Sequence, residues 1–129
     1  MVKPNQHEAA RATALRSEVG LVAWEAAEVA SRLCLLTEKP VFLTMGEDGI
    51  LVAEGDSVTH VLAMRAPAEI DIVGAGDSAT AGIVCALSTG ATPIEAAALG
   101  NLCASVTIRK LGTTGTAAPD ELREAWESY

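Results

Sequence analysis

The chain has 129 residues, half of them apolar, which suits one compact globular domain with a real core and excludes a disordered chain. Nine basic against seventeen acidic residues leave a formal charge of −8, which argues against nucleic acid or an anionic membrane surface as partner. Trp24, Phe42, Trp126 and Tyr129 are too scattered to stack bases, no apolar run is long enough to span a bilayer, and the first residues carry no signal-peptide pattern.

Cys34, Cys85 and Cys103 are odd in number, form no C-x-x-C pair and each lie in an apolar run. They read as buried free thiols of a reducing, cytoplasmic protein. His7 and His60 stand alone, which argues against a zinc site.

In chain order, Met1 to Asn5 reads as the end of a strand whose beginning is missing. A helix from Glu8 to about Arg16 follows, and the spacing of Asn5 and Glu8 predicts a capping box at its head. Val19 to Leu36 forms a second helix. Its apolar face is Leu21, Val22, Val29 and Leu33, and its polar face is Glu25, Glu28 and Arg32. Lys39-Pro40 ends it. Val41 to Met45 is a short strand, Glu47-Asp48-Gly49 is turn chemistry, Ile50 to Ala53 returns, and Ser57 to Ala63 is a third β run.

The next stretch is the one the chain is organised around. Ile70 to Val73, an apolar run interrupted by Asp71, predicts a strand; Gly74-Ala75-Gly76-Asp77 breaks it; a small-residue helix then continues through Leu87 and stops at Gly90. A strand that turns through glycines into a helix makes a phosphate site, because the first helical N–H groups lack intrahelical partners and the dipole adds positive charge there. A carboxylate at this end, Asp77, can take the proton of a hydroxyl that attacks a phosphoryl group. Read as local structure alone, Asp77 is a helix N-cap. Thr92-Pro93 opens an alanine-rich helix to about Ile108, whose apolar face is interrupted at Gly100 and Asn101. Leu111 to Ala118 is a Gly/Thr loop, and Pro119-Asp120-Glu121 begins a final amphipathic helix to Tyr129.

Asp71 to Asp77 resembles the D-x-x-G-A-G-D signature of the ribokinase-like (PfkB) carbohydrate kinases. The resemblance implies that the backbone of Gly74, Ala75 and Gly76 forms an anion hole for the transferred phosphoryl group and that Asp77 is the catalytic base. Lys3-Pro4-Asn5-x-x-Glu8 resembles the family's N-x-x-E motif, which implies Asn5 on the nucleotide side and Glu8 as an indirect magnesium residue. Thr44 to Gly49 resembles T-x-G-x-x-G, implying Thr44, Gly46 and Gly49 as nucleotide contacts, so that nucleotide would lie between this turn and the Gly74–Asp77 turn. The helix after Pro93 borders the adenine pocket in the family, which brings in Asn101. Some members bind potassium through the first Asp of the signature and a later loop, here Asp71 and carbonyls of Gly112 to Thr116. The implied cofactors are ATP and magnesium, with potassium as a candidate.

The implied fold is α/β, a three-layer ribokinase-like (Rossmann-like) architecture with a β-hairpin insertion. Residues 1–129 are expected to form a single domain, the C-terminal half of such a kinase, since the half that carries most sugar contacts and the β lid has no counterpart here. The implied partners are nucleotide and a sugar or sugar phosphate. Either a missing N-terminal half or self-association is expected to cover the open sheet edge. By itself the chain is expected to bind nucleotide weakly and to phosphorylate no sugar. KPNQHEA and RKLGTTGTAAPDEL are similar to heptose-7-phosphate kinase domains. Ser78-Ala79-Thr80 departs from the bulky, often aromatic residue usual after the signature.

Two other function classes fit parts of the pattern. Gly74-x-Gly76-x-x-Ala79 matches a dinucleotide loop of an NAD(P)-dependent dehydrogenase, and Glu95 lies about twenty residues on, where a ribose-binding acid is expected. Against this, Glu95 falls within a predicted helix, no strand follows the central helix, and pyrophosphate binding leaves Asp77 unexplained. The third class is a catalytically silent nucleotide-binding or interaction domain.

Overall fold

The computed structural model describes residues 1–13, 23–65, 70–112 and 115–129, with side chains from residue 25 onward in the second of these segments. The chain divides into two compact units, Met1–Val61 and Leu62–Tyr129.

In the first unit, α1 (Gln6–Ala12) and α2 (Ala23–Thr37) pack with three strands, β1 (Val41–Thr44), β2 (Ile50–Glu54) and β3 (Ser57–Val61). The strands form an antiparallel sheet in the order β1-β2-β3, with Phe42 opposite Val52 and Leu51 opposite His60. The segment before α1 joins β1 through parallel bridges, Val2 to Val41 and Asn5 to Thr44. The expected strand end at Met1–Asn5 is thus present only as these bridges. Ala26, Val29, Ala30, Leu33 and Cys34 repeat at helical spacing on α2 and are buried against Val41, Leu43, Leu51 and Ala53. Alternate residues of β1 and β2 face that layer, as the period of a strand requires. Glu28 and Arg32 form the expected polar face as an ion pair at 3.1 Å. α1 stops at Ala12 with Thr13 as its C-cap, short of the expected Arg16, and the expected start of the second helix at Val19, with Leu21 and Val22, lies outside the described residues.

In the second unit, α3 (Ala75–Ser88) and α4 (Pro93–Thr107) are joined by a short connection and lie against each other, and α5 (Pro119–Glu127) packs on α4. The pair approaches closely because both helices carry glycine at the contact. A Cβ at Gly82 would lie 2.8 Å from Cys103 Sγ, and one at Gly100 would lie 2.8 Å from Ile83 Cγ1 and 3.1 Å from the Ala79 carbonyl. Gly100 is therefore a packing residue in the buried seam of two helices. Thr92 caps α4 in a reciprocal box with Glu95, as the Thr92-Pro93 start predicts.

Three expectations are corrected. Ile70 to Val73 is not a strand: Ile70, Ile72 and Val73 are exposed, and the Asp71 N–H donates to the carbonyl of Ile108 at the end of α4 instead of to a neighbouring strand. Asp77 is not the N-cap of α3; Gly74 is, and Asp77 sits in the first turn. Cys85 is exposed, whereas Cys34 and Cys103 are buried as expected. Burial pushes the Cys103 thiol up, and the neighbouring Cys85 adds to the shift.

Candidate active site

The second unit holds the Gly74–Asp77 turn. Gly74 has φ 84°, a left-handed conformation that a side chain disfavours, and this lets the chain enter α3 abruptly. No side chain caps the helix. The Ala75 N–H donates to the Ile72 carbonyl and the Ser78 N–H to Gly74, while the N–H groups of Gly76 and Asp77 fall in the first turn, where a helix supplies no partner. A Cβ built on Gly76 meets nothing within 4 Å, and Asp77 is exposed. An uncapped, open helix start of this kind fits a phosphoryl group.

Asp71 flanks the turn. Its two carboxylate oxygens accept from the Val73 N–H at 3.0 Å and the Gly112 N–H at 3.1 Å, so it ties the start of the signature to the loop after α4. Thr113 and Thr114, part of the loop expected to face a cation, lie outside the described residues. On the far side of that loop, Lys110 donates to the Thr116 carbonyl and pairs with Glu121 at 2.7 Å. The bond from Lys110, with that from the Ala118 N–H, holds the Glu121 carboxyl below the usual carboxylate range. The sequence reading missed this staple because its members are far apart and unremarkable in type.

Asn101 is buried in α4, and its side-chain amide donates to the Leu62 carbonyl at 3.0 Å. Glu95 accepts from both the N–H and the hydroxyl of Thr92, which lowers its pKa, the backbone bond most. That employment, and the lack of a strand at Ile70–Val73, remove the context a dinucleotide loop needs.

The first unit holds the other two motifs. Asn5 caps α1: its Oδ1 accepts from the Glu8 N–H at 2.9 Å, and Glu8 accepts from the Asn5 N–H at 2.8 Å. The capping box is therefore as expected. Among the described residues no group of three His, Cys, Asp or Glu could hold a metal. Thr44 ends β1 with its N–H on the Pro4 carbonyl, and a short 3-10 turn at Gly46–Asp48 follows. Gly46 and Gly49 both have positive φ, 61° and 97°, and the Met45 N–H closes the turn on the Gly49 carbonyl. Both glycines of the T-x-G-x-x-G pattern are thus required by the backbone itself.

A model of the pfkB family carbohydrate kinases matches residues 1–121. The bifunctional protein HldE of a Caulobacter species is 38% identical over 127 residues, covering 95% of this chain and 25% of that protein. The protein of the same name from Pseudomonas entomophila is 40% identical over 111 residues, covering 83% of this chain and 23% of its own length. The chain thus spans about a quarter of the length of these curated relatives. Among solved structures, phosphofructokinase-2 from Escherichia coli in complex with potassium superposes with a TM-score of 0.83 at 23% identity, covering 98% of this chain and 40% of that one. Ribokinase from Thermotoga maritima superposes with a TM-score of 0.81 at 23% identity, over 97% and 41% of the two chains. These two share the ribokinase-like fold with this chain, and the family match over nearly its whole length places it among the pfkB family carbohydrate kinases.

Proposed function

We propose that this chain carries the nucleotide-binding and catalytic machinery for ATP-dependent phosphoryl transfer to the hydroxyl of a sugar or sugar phosphate. The observation that carries the reading is the uncapped start of α3, entered through left-handed Gly74 with Asp77 exposed in its first turn. Gly74, Ala75 and Gly76 present backbone to the transferred group, and the Gly76 and Asp77 N–H groups stabilise the charge on its equatorial oxygens. Asp77 takes the proton of the attacking hydroxyl as its oxygen bonds to the γ-phosphorus and the bond to the departing ADP oxygen breaks. Asn5, Thr44, Gly46, Gly49 and Asn101 are proposed on the nucleotide side. Glu8, engaged with the Asn5 N–H, acts on magnesium through water. Magnesium, when bound, neutralises phosphate charge. Asp71, within hydrogen-bond reach of Gly112, is the candidate monovalent-cation residue. The similarity of KPNQHEA and RKLGTTGTAAPDEL to heptose-7-phosphate kinase domains favours a sugar phosphate as acceptor.

Thermal-shift titration tests this. ATP or ADP with magnesium should raise the melting temperature and NAD should not; equal stabilisation by NAD would overturn the kinase reading. No response to any nucleotide would favour a silent interaction domain. Repeating the titration in potassium and in a large organic cation reads the Asp71 site.

A further inference from the structure

Hydroxyls on the helices mostly bond back to their own helix. Thr37, Thr80 and Ser88 each donate to the carbonyl four residues earlier, and Ser105 to the one three earlier. Thr107, the last residue of α4, does not follow this pattern. It is 1% exposed, and its Oγ1 donates at 2.8 Å to Ser78 Oγ on α3. A valine has nearly the same size and shape, and a buried hydroxyl is costly unless paired, so the bond is what distinguishes threonine here.

Ser78 directly follows Asp77, and its N–H closes the first turn of α3 on the Gly74 carbonyl. The residue after Thr107 holds the other flank of the signature, because the Ile108 carbonyl accepts from the Asp71 N–H. The end of α4 therefore grips the Gly74–Asp77 turn on both sides. We propose that Thr107 is a positioning residue: through Ser78 it fixes the first turn of α3, and so the aim of the Gly76 and Asp77 N–H groups at the γ-phosphoryl group of ATP. This rests on the anion-hole reading above.

The test is calorimetric titration of the 129-residue chain with magnesium and either ADP or a non-hydrolysable ATP analogue. Wild type should prefer the analogue. Thr107→Val should weaken the analogue about three- to tenfold and leave ADP unchanged, and Thr107→Ser should restore it. If Thr107→Val fails to fold, Ser78→Ala removes the same bond from the α3 side and should give the same selective loss. Equal weakening of both ligands, or none, in a variant of a wild type that does discriminate would overturn the role of Thr107 alone. A wild type that binds ADP and the analogue equally would overturn the anion hole and this role with it.

Discussion

Asp77 is exposed in the first turn of α3, where the proposed general base would meet an attacking hydroxyl. In phosphoryl transfer most of the catalysis is positioning and charge stabilisation, and the base removes the hydroxyl proton late. Asp77→Asn keeps the shape and removes the proposed base. In a kinase assay with a sugar-binding half supplied, turnover should fall by about a hundredfold or more, while nucleotide affinity changes by less than about threefold. Retained turnover would assign the base elsewhere. At this scale the sequence was a good guide to Asn5 and Glu8, whose bonds span three residues and depend on little else. It was a poor guide to Cys85, because lying in an apolar run does not say which face of the helix a residue takes.

At the scale of elements, the helix pair α3–α4 is set by small residues. Gly100→Ala puts a Cβ 2.8 Å from Ile83 Cγ1 and 3.1 Å from the Ala79 carbonyl, and the latter is backbone that cannot rotate away. The expected cost is about 1–3 kcal/mol, read as a lower midpoint in urea unfolding. An unchanged midpoint would show that the helices part at no cost. The segment before Gly74 shows the opposite weakness of pattern reading. Ile70 to Val73 has the composition of a strand, but its hydrogen bonds go to the end of α4 and within the turn itself. Local composition cannot say whether a neighbouring strand exists to pair with.

For the whole molecule, net charge bears on one class of partner, nucleic acid. With a formal charge of −8 the chain should show no retention on duplex DNA at about 0.15 M salt, because net negative charge opposes the counterion-release contribution. Binding in a filter or mobility-shift assay under those conditions would contradict this. No described helix is long and apolar enough to cross a membrane. The chain spans about a quarter of the length of its curated relatives.

The sequence by itself determined the three motifs, the helix caps at Asn5 and Thr92 and the turn around Gly46 and Gly49, because each depends on residues within a few positions of one another. Only the tertiary structure decided how the signature turn is held. Asp71 reaches Gly112 across 41 positions and Thr107 reaches Ser78 across 29. Such bonds exist only once the glycine seam brings α3 and α4 together, and no short-range pattern encodes which distant hydroxyl or amide will then lie within reach.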